Sequence, residues 1–280
     1  MTSTDRRAAL RVGAGLVAGG AFAGACSTSG SAFGPSSGPS SGTSPGSPSP
    51  SSPGPASSTS STSSASPAAA RPAPAPRAFP GQPAQISHGP RDRPRVALTF
   101  HGQGEPAFAE ALLGEAERHG ARVTVLAVGT WLDAHPALAR RILDGGHDLG
   151  NHTHRHLDIN AMSEAEARGE IEECARRLQR LTGSVGTWFR PSRTSRASPL
   201  VQRLARAAGY PHVLSYDVDS LDFTSPGAPA VTANVLREVR DGSVVSLHFG
   251  YADTLAALPA VLDELARRGL RAVTTTELLS

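Results

Sequence analysis

Between Arg95 and Thr274 short β-branched or apolar runs alternate with amphipathic stretches, and this alternation limits the chain to a βα-repeat architecture. Runs that read as strands are 95–100, 122–128, 147–151, 186–190, 212–217, 243–248 and 271–274. Helices are expected over 106–119, 136–144, 163–181, 199–208, 230–239 and 254–268. Ser163 with Glu166 forms a capping box, and Ser198-Pro199 places a cap before a proline at the first helical position. Gly120, Gly145, Gly183, Gly209 and Gly269 stand where these helices should stop. Seven strands suit a reduced (β/α) barrel or an open doubly wound sheet, and the pattern alone does not choose between them.

The region ahead of this pattern has a different composition. Residues 27–90 are mostly Ser, Pro, Gly, Ala and Thr, too poor in large apolar side chains to offset ordering entropy, so a disordered linker is expected there. About 60 such residues span on the order of 45 Å. Residues 91–280 are expected to form one domain; roughly 190 residues suffice for a single core. Residues 1–26 have a charged start with Arg6-Arg7, an apolar stretch from Val12 to Ala25 and then Cys26, the layout of an export signal. The twin arginines suggest the corresponding export route. Ala23-Gly24-Ala25-Cys26 resembles a lipoprotein cleavage box, which implies that Cys26 is lipidated and that the mature chain sits on the outer face of the cell membrane.

The net charge of +3 carries no nucleic-acid signal. Every basic residue is arginine, the acidic residues nearly match them, and no basic run is interleaved with aromatics. Cys174 lies on the same helical face as Ile171, Leu178 and Leu181 and is expected to be a small buried apolar side chain. A monomer is expected.

Polar residues gather just past the ends of successive strands, where such folds place chemistry: His101, His152, Arg190, Asp217 with Asp219, and His248. The stretch His152-Thr153-His154-Arg155-His156 is the most informative. Two imidazoles four residues apart on a turn can face one ion, and neutral imidazole is a strong ligand for zinc and its neighbours. His152 and His156 are the expected ligands, with His154 pointing elsewhere.

These residues sit within a longer set of motifs. They are Val128-Gly129 through His135-Pro136, Gly146-His147-Asp148-Leu149-Gly150-Asn151-His152-Thr153, Phe189-Arg190-Pro191, Asp219-Ser220-Leu221-Asp222-Phe223, and Gly242-Ser243-Val244-Val245 leading to His248. In order and spacing they resemble the polysaccharide deacetylase superfamily, the nodulation-protein-B homology domain of carbohydrate esterase family four. The resemblance implies a distorted (β/α)7 barrel that removes N- or O-acetyl groups from extracellular glycans such as peptidoglycan or chitin, using a divalent metal, here expected to be zinc. By the same resemblance His248 is the general acid, Asp219 the carboxylate that orients it, and Arg190 the residue that positions the base. Pro191, Phe223 and Ser246 fall at substrate-binding positions; Phe223 replaces a usual tryptophan and Ser246 a usual leucine.

The first motif departs from the family. Thr99-Phe100-His101-Gly102-Gln103 stands in place of Thr-Phe-Asp-Asp-Gly, so both carboxylates are absent. Ser192-Arg193 replaces Pro-Tyr after Arg190-Pro191. Either His101 joins His152 and His156 in a three-histidine site, or His101 is the base and two protein ligands remain. A catalytically impaired glycan-binding lipoprotein of the same fold is the alternative that Gly102 raises, and hydrolysis of an unrelated small amide or ester is a third.

Overall fold

The computed structural model describes residues 73–280; the export signal, Cys26 and the linker up to residue 72 lie outside the described residues. In chain order the strands are β1 (Gln85–Ile86), β2 (Arg95–Gly102), β3 (Thr124–Ala127), β4 (Asp148–Asn151), β5 (Val213–Leu214), β6 (Val218–Asp219), β7 (Val244–His248) and β8 (Arg271–Ala272). The helices are α1 (Pro106–Arg118), α2 (Gly129–Ala134), α3 (Pro136–Asp144), α4 (Glu164–Thr182), α5 (Pro199–Ala207), α6 (Ala228–Glu238), α7 (Ala252–Arg267) and α8 (Thr275–Leu278).

All named strands pair in parallel, six of them in the order β4-β3-β2-β7-β6 with β8 against the start of β2, and β1 with β5 as a separate pair. The ladder continues past β4 through single parallel bridges from Asn151 to Phe189 and from Phe189 to Val213. The expected strand at 186–190 is thus reduced to one ladder residue. Gly186, with φ of 89°, introduces it, and Pro191, which cannot donate to a ladder, follows. The expected strand at 212–217 is divided because the chain changes partner: Ser215 N–H donates to Ile86 O (2.7 Å), and Asp217 N–H to Val244 O (3.2 Å). With Phe189 counted as a stave, β2 to β7 make a distorted (β/α)7 barrel, with helices packed outside a core that includes Leu98, Phe100, Leu132 and Leu178.

The seam of this barrel is closed by residues that the sequence reading assigns to the linker. β1 pairs with β5, His88 bridges Ser243, and Gly89 N–H donates to Gly242 O (2.7 Å). Phe79 is buried and stacks on Trp188 with ring centroids 5.3 Å apart. The Phe79 N–H donates to His212 Nε2 (2.9 Å), and Ser184 Oγ donates to Pro74 O (2.9 Å). The folded region therefore begins by residue 73 rather than at 91. Phe79 and Ile86 are isolated apolar residues in a Pro- and Gly-rich stretch, so no periodicity marks them.

The helices follow their sequence signals closely. The capping box at Ser163 and Glu166 forms, and α4 ends at Gly183 with φ of 79°. Cys174 is buried on α4, its thiol donating to Ala127 O (3.4 Å), and burial pushes its pKa up to about 12. α2 and α8 were not expected; α8 carries its own capping box, Thr274 with Glu277. Among the described residues no helix is long and apolar enough to cross a membrane.

Removing residues 73–90 exposes the surfaces that Phe79 and Ile86 cover. Each buried side chain of this size contributes about 1.5–3 kcal/mol, so a chain beginning at Arg91 is expected to lose roughly 3–6 kcal/mol relative to one beginning at Ala73. Urea unfolding of both chains checks this; equal midpoints would show that the segment is not part of the cooperative fold.

Candidate active site

The register of β2 with β7 sets the centre of the site. His101 and His248 are direct ladder partners at the C-terminal ends of adjacent strands, and their rings stack with centroids 4.2 Å apart. β4 brings the next imidazole. Asn151 is its last residue, and His152 extends the ladder by donating its N–H to Ala127 O (2.9 Å). The chain then turns sharply, with Thr153 and His156 both in the left-handed region at φ of 69° and 57°.

Residues with a Cβ adopt that conformation at a cost, and the surroundings supply the compensation. Thr153 N–H donates to Asn151 Oδ1 (2.9 Å), Thr153 Oγ1 to Ser192 Oγ (3.0 Å), and Arg155 Nε to the buried Glu170 Oε1 (2.6 Å). The turn returns His156 towards His152, with ring centroids 4.9 Å apart. One nitrogen from each of His101, His152 and His156 lies within 4.8 Å of the others. His154 is not part of this group; it packs on Gly129, where an added Cβ would stand 2.5 Å from His154 Nδ1.

The hydrogen bonds determine where the protons sit. Arg190 Nη1 lies 3.3 Å from His101 Nε2, and a guanidinium can only donate, so that nitrogen accepts. His101 Nδ1 then carries the proton and donates to His152 Nε2 (2.8 Å). His152 Nδ1 in turn donates to Arg190 O (3.0 Å). Ser246 Oγ, 3.1 Å from His101 Nε2, completes the set as a donor. Burial, followed by the neighbouring His248 for His101 and His156 for His152, holds both imidazoles well below their ordinary pKa and therefore neutral. His156 is lowered to about 4 by burial and then by Arg193 and His248.

Arg190 is fully buried, and burial lowers its pKa to about 10. Among the described residues no carboxylate forms an ion pair with it. It donates instead to Leu214 O (3.3 Å) and Ser215 O (3.0 Å), and its guanidinium carbon lies 5.4 Å from the Tyr216 ring centroid. This is the consequence of an imidazole at position 101. The guanidinium remains, and it faces a neutral ring.

The carboxylate that holds His248 is Asp222, which corrects the expectation of Asp219. Asp222 Oδ1 lies 2.6 Å from His248 Nδ1, while its Oδ2 accepts from His248 N–H (2.7 Å) and Thr254 Oγ1 (2.6 Å). Asp222 is fully buried. Leu221, at φ of 55°, reverses the chain between the two acids and turns the second one inward. Asp219 instead accepts from Leu221 N–H (3.1 Å) and neighbours the Tyr216 phenol. Both acids lie in one motif, so spacing alone did not separate their roles.

A cleft of about 460 Å³ opens above these groups, lined among others by His101, His156, His248, Ser246, Phe223 and Tyr251. Phe223 is 46% exposed, and both it and Tyr251 place their rings 5.7 Å from that of His248. Asp219 and Arg193 also reach the cleft. Pro191, expected to contact substrate, is buried and outside the cleft wall. Tyr216 and Tyr251 were missed from the sequence because nothing in a lone tyrosine marks it as facing a cleft; Arg193 was noted as a departure from the motif and given no role.

A family model described as polysaccharide deacetylase matches residues 88–213, which include His101, His152, His156 and Arg190. A peptidoglycan-N-acetylglucosamine deacetylase of Bacillus cereus is 30% identical over 194 residues, covering 68% of this chain and 90% of that one. The chain belongs to the polysaccharide deacetylase family. It is also 28% identical over 184 residues to the peptidoglycan-N-acetylglucosamine deacetylase PgdA of Listeria monocytogenes, covering 66% of this chain and 38% of that protein's length. Among solved structures, the wild-type form of a protein described as a CE4 family pseudoenzyme from Bacillus anthracis shares the fold. Its TM-score is 0.67 at 24% identity, over 71% of this chain and 70% of that one.

Within this family member, position 102 has no space for a side chain. A Cβ there would stand 2.9 Å from Val125 Cγ1 and 3.1 Å from Ala127 Cα, so β3 must give way for any larger residue. Gly102→Asp is expected to lower stability by about 1–3 kcal/mol, the usual cost of overpacking. Chemical denaturation measures this; an unchanged midpoint would mean that β3 yields freely and that packing does not exclude the family's carboxylate.

Proposed function

We propose that the chain is a metal-dependent hydrolase that removes acetyl groups from N-acetylglucosamine residues of extracellular glycan, with peptidoglycan as the preferred polymer. The observation that carries this reading is the cluster of three imidazoles, one of which stacks against a histidine held by a buried carboxylate, at the base of an open cleft. The same reading makes the protein a monomeric lipoprotein, anchored through Cys26 at the outer face of the cell membrane.

The residues present suit a divalent cation. His101, His152 and His156 offer three nitrogens in mutual reach, and three histidines with an open position form a donor set suited to catalytic zinc. When bound, the cation would supply Lewis acidity to an acetyl carbonyl and to water. His152 is already oriented for this, since its Nδ1–H is committed to Arg190 O and its Nε2 faces the cluster.

The remaining chemistry belongs to the protein's own groups. With Nδ1 bound to Asp222, His248 directs its other nitrogen away from that carboxylate. His248 then protonates the departing amine. Arg190 supplies a fixed positive charge behind His101, at a desolvated position where charge is weakly screened. Phe223 and Tyr251 form the apolar walls against which a sugar ring can stack.

Acetate release from N-acetylglucosamine oligomers and from peptidoglycan, measured with and without chelator, tests this reading. Activity is expected to vanish with chelator and return with zinc, and His152→Ala should abolish stoichiometric metal. At saturating zinc, Asp222→Asn is expected to lower kcat by about a hundredfold or more, with Asp219→Asn losing less than about tenfold. Metal-free protein that binds these glycans and releases no acetate would instead support the glycan-binding alternative, which Gly102 and its crowded surroundings favour. Labelled fatty acid incorporated into the full chain and lost in Cys26→Ser tests the anchor.

A further inference from the structure

We propose that Ser246 is a positioning residue that lets His101 serve as the third metal ligand, by exchanging the donor and acceptor roles of its hydroxyl. The inference rests on the three-histidine reading above. It joins two features that the family pattern leaves unrelated, an imidazole at position 101 and a hydroxyl at position 246.

In the structure His101 Nε2 accepts from Arg190 Nη1 and from Ser246 Oγ, so the proton of His101 is on Nδ1, directed at His152 Nε2. That proton lies between two of the three ligand atoms. For His101 to ligate through Nδ1 the proton must move to Nε2, where it faces the guanidinium at 3.3 Å. Arg190 cannot accept it. Ser246 can, because a hydroxyl both donates and accepts and rotates to suit. A leucine at position 246 would leave a buried N–H facing only a cation, with the desolvation penalty of an unmade hydrogen bond.

The hydroxyl proton of Ser246 also has a destination. Tyr216 lines the cleft beside Ser246 and Asp219, and its phenol oxygen can accept that proton once the hydroxyl turns from His101. The ligand-bound arrangement therefore runs from His101 Nε2–H to Ser246 and from Ser246 to Tyr216. No proton is gained or lost along it; one tautomer is exchanged for another and one hydroxyl rotates. His152 has a comparable outer partner in Arg190 O, so both buried imidazoles are oriented from behind.

The test is zinc affinity of the full chain by competition with a chromophoric chelator, together with the nitrogen resonances of His101. Ser246→Ala and Ser246→Leu are expected to weaken zinc binding by roughly 10–100-fold, the usual cost of losing an outer-shell partner. Ser246→Thr, which keeps the hydroxyl, should restore most of the affinity. Tyr216→Phe, which keeps the ring and removes only the next hydroxyl, should weaken zinc binding less than Ser246→Ala. In unsubstituted protein His101 should change from the Nδ1–H to the Nε2–H tautomer as zinc is added. Equal zinc affinity in the unsubstituted protein and in Ser246→Leu would overturn the role of Ser246 and leave the three-histidine site standing. Zinc affinity untouched by His101→Ala would remove the site reading itself, and this inference with it.

Discussion

The pairing of β2 with β7 is the constraint from which the site follows. His101 and His248 occupy the same ladder rung at the ends of adjacent parallel strands, so a shift of one residue in either strand would turn one imidazole away from the other. The partners of β2 hold that rung in place. Thr99–Gly102 pair with β3 on one side and Ala97–His101 with β7 on the other, and Thr99 Oγ1 donates to Val245 O (2.6 Å) two residues below His101. Gly102, without a side chain, lies against Ala127 and Val125 and allows β3 its close approach. β3 then fixes β4, and β4 fixes His152.

Electrostatics divide this centre into two halves with different rules. On one side three imidazoles and a buried guanidinium are assembled without a carboxylate. Burial keeps the rings neutral, and backbone carbonyls satisfy the arginine. On the other side Asp222, equally buried, accepts from His248 twice and from Thr254 once, so its charge is spread over three donors. The rings of His101 and His248 are the only contact the halves need. One half offers neutral nitrogens in mutual reach, and in the other a buried carboxylate fixes the orientation of the His248 ring.

Much of this was legible in the sequence, for identifiable reasons. Strand-end placement marked His101, His152, Arg190 and His248, because a parallel ladder converts position along a strand into position around a rim. His156 was marked by its spacing from His152 on a turn. What the sequence did not reveal depends on chain reversals and isolated contacts. The left-handed Leu221 decides that Asp222, and not Asp219, reaches His248. Phe79 and Ile86 close the barrel from within a stretch whose composition resembles a linker. Pro191 lies in a recognisable motif, yet it is buried away from the cleft wall.

The loss of both acidic residues from the first motif is better understood as one coordinated change than as two defects. With Gly102 packed against β3, the only side chain that β2 can send into the cluster is the one at position 101. An imidazole there is long enough to reach His152 Nε2 at 2.8 Å. It also inherits Arg190, which in a site built on carboxylates has a negative partner and here, among the described residues, forms no ion pair. A ring beside that cation needs a group able to accept from it in one tautomer and donate to it in the other. Ser246 is the side chain, other than Arg190, that touches His101 Nε2, and its hydroxyl does both. In the proposed three-histidine site the histidine and the serine thus answer the same electrostatic problem, one by offering a nitrogen from β2 and the other by giving its proton somewhere to go.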